Sequence, residues 1–110
     1  MSLLLDRAGV RLTAGAEGLA VSGVVGFDVA AALAATGSDW LATQPAGNRV
    51  DFDLGGVAGV SSAALSVLLE WTRRARAAGL EVRAVHLSAP LIRLTRLAGL
   101  DRLLPLDEVA

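Results

Sequence analysis

The sequence predicts an α/β fold: a small mixed β-sheet with helices packed on it. Three observations carry that expectation. Stretches that alternate polar and apolar residues, Arg49–Leu54 above all, are separated by segments of helical composition. Gly79 and Gly99 stand just past two of those segments, where a helix end favours a residue free to turn left-handed. Strands joined through helices need crossover connections, which lay the helices against a sheet. A chain of 110 residues suits one domain, 1–110.

The elements follow in chain order. Leu3–Leu5 and Val10–Leu12 are short apolar patches, Thr13–Gly18 reads as a turn, and Leu19–Gly23 alternates like a strand. Together they predict a hairpin that opens the domain. Asp28 is a candidate N-cap for an alanine-rich helix over Val29–Thr36, since alanine is the best helix former. Gly37-Ser38-Asp39 is expected to interrupt that helix or to start a further turn ending near Trp40-Leu41-Ala42. Gln44–Asn48 is a loop, Arg49–Leu54 a strand, and Gly55–Val60 a glycine-rich exit from it. A helix from about Ser62 to Ala78 stops at Gly79, and Leu80–Val85 is the next strand. Ser88 caps a last helix, with Pro90 in its first turn, that runs to about Leu97. An apolar tail, Leu100–Leu106, precedes the acidic end.

Composition narrows the function. Hydrophobic residues make up 54% of the chain, enough for a self-sufficient core at this length. There is no cysteine, so neither disulfides nor thiolate metal sites can form. The ten basic residues are all arginine and the formal net charge is -1, which gives no electrostatic footprint for nucleic acid. No apolar stretch approaches the ~20 residues of a membrane span. Met1–Val10 lacks the pattern of a secretory signal, so the expected location is the cytoplasm. His86 is the only histidine and ends a strand, where packing or a hydrogen bond is its ordinary role. Asp51 and Asp53 share one side of a strand and have no acid–base partner legible in the sequence. Gly55, Gly56 and Gly59 are not followed by the Lys-Ser/Thr of a phosphate-binding loop. The expectation is a protein without cofactor, metal or catalytic residues.

Val50–Trp71, with the run Val50-Asp-Phe-Asp-Leu54, the glycine-rich loop and Ser61-Ser-Ala-Ala-Leu65, resembles the signature of the STAS family. That signature is a hydrophobic strand, a loop, then Asp-Ser/Thr-x-Gly-Leu opening a helix of small and aliphatic residues. Ala98-Gly-Leu-Asp-Arg-Leu-Leu-Pro105 resembles the end of the family's last main helix. Within the family, Ala63–Trp71 and its arginine-rich continuation are most similar to the MlaB type. That resemblance implies a cytoplasmic subunit of a phospholipid-moving ABC transporter that maintains outer-membrane lipid asymmetry. It would be bound to an MlaF-like ATPase subunit and held at the inner membrane through it. More distantly, the chain is similar to kinase-regulated anti-sigma-factor antagonists such as SpoIIAA.

Ser61 stands where the family has aspartate, and Ala64 where it has glycine. Ala63 matches the serine that antagonists phosphorylate, whereas Ser62 matches the threonine or serine important in MlaB-type proteins. Gly23-Val-Val-Gly26 keeps the first glycine of an early Gly-x-Leu-Asp motif but not its aspartate.

At about 100° per residue, Ser62, Ser66, Leu69 and Arg73 form one stripe of the second helix. With Ser61 they are the candidate partner-binding residues, and Ser62 is the candidate phosphorylation site. A plainer role for either serine is to cap the helix, worth about 1 kcal/mol. Ala64, Leu65, Leu68, Thr72 and Ala75 form a separate stripe expected to face the sheet. Trp71, at its edge, is expected to roof the core, while Trp40 suits either a contact or a half-buried place. Arg73, Arg74 and Arg76 near the helix end complement the helix dipole or offer a basic contact.

Overall fold

The computed structural model describes residues 1–106, in the order β1 (Ser2–Arg7), β2 (Val10–Ala14), β3 (Gly18–Gly23), α1 (Phe27–Ala42), β4 (Arg49–Val57), α2 (Ser62–Ala77), β5 (Glu81–Leu87) and α3 (Ala89–Leu97). The strands form one five-stranded sheet in sequence order. β1–β2 and β2–β3 are antiparallel, while β3–β4 and β4–β5 are parallel, so the expected mixed sheet is present.

Three strands precede α1 where the sequence suggested one hairpin. The two apolar patches are separate strands, joined by a two-residue turn in which Ala8 (φ 53°) and Gly9 (φ 78°) both adopt positive φ. Hairpins favour such turns because their twist matches that of the strands. The usual Asn-Gly signal is absent, and Ala8 is the only non-glycine with positive φ among the described residues.

Both boundaries of α1 differ from expectation, while the cap of α3 falls where expected. Gly26, not Asp28, is the N-cap of α1, and Asp28 sits in the first turn, where its carboxylate faces the positive end of the dipole. α1 is not interrupted at Gly37–Asp39 and runs on through Trp40 and Leu41. Ser88 is the N-cap of α3 by backbone position, but its hydroxyl makes no capping bond. β4 and β5 each extend beyond the expected strands, to Val57 and Leu87.

Alternation along the strands buries one side of the sheet and leaves the other open. Leu19, Phe52 and Val85 are paired across β3, β4 and β5 and are all buried. Leu12 continues that side through its partner Val21. Arg11, Ser22 and Asp53 lie on the opposite, exposed side. The expected core stripe of α2 is buried at every position, Ala64, Leu65, Leu68, Thr72 and Ala75.

Trp71 is fully buried and stacks at a tilt on Phe52, ring centroids 5.7 Å apart. Its Nε1–H donates to the Ala34 carbonyl of α1 at 3.1 Å. The indole lies directly over Gly37, so close that a Cβ there would overlap it. That contact explains why a glycine persists in the middle of α1: it is a seat for the tryptophan, not a break.

Candidate functional site

β4 leaves the sheet through Ala58–Val60 and turns into α2 at Ser61, whose backbone is extended (φ -133°, ψ 103°). The Ser61 hydroxyl accepts from the Ala64 amide at 2.9 Å, which caps one of the donors left open at the helix start. The same hydroxyl donates to the Val25 carbonyl at 2.7 Å. A second bond, from the Ala58 amide to the Gly23 carbonyl at 2.9 Å, joins the same two loops. The β3–α1 loop and the start of α2 are therefore stitched together at the ends of the two central strands.

Ser61 is 7% exposed, and its hydroxyl is occupied on both sides. It differs in this from the other candidate residues. Ser62, Ser66 and Arg73 are exposed along the outer side of α2, and Leu69 is half-buried among them. The helix thus presents the stripe that its spacing implied. Ala63, at the position that antagonists phosphorylate, is buried and carries no hydroxyl.

Ser61→Ala removes the cap, worth about 1 kcal/mol. It also leaves the Val25 carbonyl without its partner, a loss of the order of 1–3 kcal/mol when buried. The variant is expected to be less stable by about 2 kcal/mol in urea unfolding, whereas Ser62→Ala should change stability by less than half of that.

The basic cluster is partly neutralised from within. Glu70 accepts from Arg73 Nη2 at 2.6 Å and from Arg74 Nε at 2.8 Å. Arg73 first, then Arg74, hold the Glu70 carboxyl below the usual carboxylate range. Arg74 and Arg76 lie in the last turn, where cations complement the dipole.

Three apolar side chains that sequence reasoning missed are exposed in the segments joined at Ser61. Val24, Phe27 and Val60 are 70%, 75% and 71% exposed. Val24 is in the β3–α1 loop, Phe27 opens α1, and Val60 immediately precedes the α2 cap. An apolar residue in Val60's place commonly folds back onto the first turn of its helix. Val60 instead points into solvent, as do its two neighbours across the stitched loops. The legible signal was Val24-Val-Gly-Phe27, an apolar run at a helix start of which only Val25 enters the core.

The remaining polar candidates are engaged elsewhere. Asp51 is ion-paired with Arg83 across β4 and β5. Asp53 accepts from the Gly55 amide at 2.9 Å, a bond within β4. His86 is exposed opposite Asp53 on the open side of the sheet. No group of three His, Asp or Glu residues among the described residues could hold a metal ion. Trp40 is half-buried against the core. No helix among the described residues is long and apolar enough to cross a membrane.

A family model described as "Mlab, STAS domain" matches residues 8–105, from the β1–β2 turn to the tail beside β5. No curated protein matches the chain.

Proposed function

We infer the function from membership: the chain belongs to the MlaB-type STAS domain family, whose members are generally binding modules without catalysis of their own. We propose that it is an accessory subunit of an ABC transporter that moves phospholipid in maintaining outer-membrane lipid asymmetry. It docks on the transporter's MlaF-like ATPase from the cytoplasmic side and is held at the inner membrane by that contact.

The observation that carries this proposal is the exposed start of α2. Ser62 is open to solvent, and the apolar Val24, Phe27 and Val60 are exposed in the segments joined at Ser61. Apolar side chains around a small hydroxyl give a partner close approach and area to bury. The alternative, an anti-sigma-factor antagonist switched by a kinase, loses its acceptor at Ala63. Of Ser61 and Ser62 only Ser62 is exposed for such a switch, and a phosphate there would repel or clash with a docked partner.

The test is Ser62→Glu. A carboxylate near a helix N-terminus is tolerated in the free protein. Buried in a docked interface without a counter-charge it is costly. The variant is expected to keep its melting temperature within a few degrees. It should bind the ATPase subunit at least about tenfold more weakly, or ~1.4 kcal/mol, in calorimetry. Arg73→Glu should act in the same direction. Arg83→Glu, on the opposite side of the domain, should leave binding intact. Normal ATPase binding by both Ser62→Glu and Arg73→Glu would place the contact surface elsewhere.

A further inference from the structure

The sheet has two outer edges, and they are built differently. β5 carries the charged Glu81 and Arg83, and its outer edge is met by the chain's own tail. The Val85 amide donates to the Pro105 carbonyl at 2.8 Å, and Leu106 forms a parallel bridge to Val85. Charges and a covering segment are two ways in which proteins keep an edge from pairing with another chain.

β1 has neither device along its centre. It is Ser2-Leu-Leu-Leu-Asp-Arg7, it pairs with β2 alone, and its charges are confined to one end. Leu3 is 55% exposed, and Leu4 and Leu5 are only partly buried where they pack against the core. The register slips between Leu3 and Leu5, so Leu4 has no partner on β2. α1 covers this end of the sheet, and the apolar core continues up to the β1 edge.

We propose that β1 is a self-association edge that pairs antiparallel with β1 of a second copy. A two-fold axis between Leu4 and Leu5 sets each of these residues against the other in the second copy, joining two half-covered leucine pairs into one seam. No other strand is needed to satisfy the partner. The opposite edge is charged and met by the tail, so the pairing closes as a dimer and does not propagate into a fibre. Six residues per strand make a short seam, below the ~1,200 Å² of a specific stable interface, so the association is expected to be weak. β1 and the start of α2 are carried by different elements, and the proposal does not depend on the ATPase contact.

Sedimentation velocity of the untagged chain from about 10 μM to 1 mM is expected to show a monomer shifting to a dimer with no larger species. Amide hydrogen exchange should show rising protection at Leu3–Leu5 over the same range, and this readout needs no variant. Leu4→Lys sets two like charges across the axis and should weaken the dimer at least tenfold. Phe27→Lys, which removes the most exposed aromatic side chain elsewhere, should leave it unchanged. A monomer at every concentration overturns the proposal. So does a dimer that forms without protection of Leu3–Leu5, or one that Phe27→Lys abolishes and Leu4→Lys does not.

Discussion

Trp71→Ala is expected to lower the stability of the fold by about 3–5 kcal/mol, a large part of what a domain of this size has. The indole has no solvent exposure, stacks on Phe52 and supplies the one hydrogen bond from its side chain to α1. Truncation removes the largest side chain between the two helices and opens a cavity beneath them. The same contact reverses an ordinary rule at Gly37. Alanine at a glycine inside a helix normally stabilises by roughly 1 kcal/mol. Here the added methyl would overlap the Trp71 ring, and forcing the two apart costs about 1–3 kcal/mol. Gly37→Ala should therefore be net destabilising. Urea midpoints for both variants check the pair, and a raised midpoint for Gly37→Ala would refute the packing account.

Gly18→Ala should rival that loss. Gly18 starts β3 with φ 152°, opposite Asp51 of β4, and a Cβ there would fall on the backbone carbonyl oxygen of Asp51. A backbone atom inside a parallel ladder cannot swing aside as a side chain can. The first rung between the two central strands must open, with an expected cost of about 3 kcal/mol or more. Gly15, three residues earlier, has nothing within 4 Å of its added Cβ. Gly15→Ala should stay within about 0.5 kcal/mol of the parent. Thermal melts of the two variants side by side separate a steric glycine from an incidental one.

The parts of the fold that were legible in the sequence are those with local signals. Alternation marked β4, and the four-and-three spacing of α2 gave both of its sides, the buried one at every position. Gly79 and Gly99, at φ 76° and 71°, mark helix ends as their type suggests. What was not legible depends on partners distant in sequence. Gly37 looked like a break because its reason, Trp71, lies 34 positions further on. The β1–β2 turn was hidden because alanine takes a conformation usually given to asparagine or glycine. At the candidate site the exposed stripe followed from helical geometry. Ser61's second bond and the exposure of Val24, Phe27 and Val60 did not, because they arise where two loops meet in space.

The Ser61 hydroxyl has a consequence for how tightly any partner can be held. It joins the loop that carries Val24 to the turn that carries Val60 and Ser62. A partner that touches both loops meets a surface whose relative positions are already fixed, and loses less conformational freedom on binding. Without the hydroxyl only the bond from the Ala58 amide to the Gly23 carbonyl joins the loops, and the partner must supply more of their order. Affinity would then fall although no contacting side chain had been removed, and calorimetry would record the loss as a more unfavourable binding entropy. A buried serine that no partner reaches would in this way set the strength of the complex.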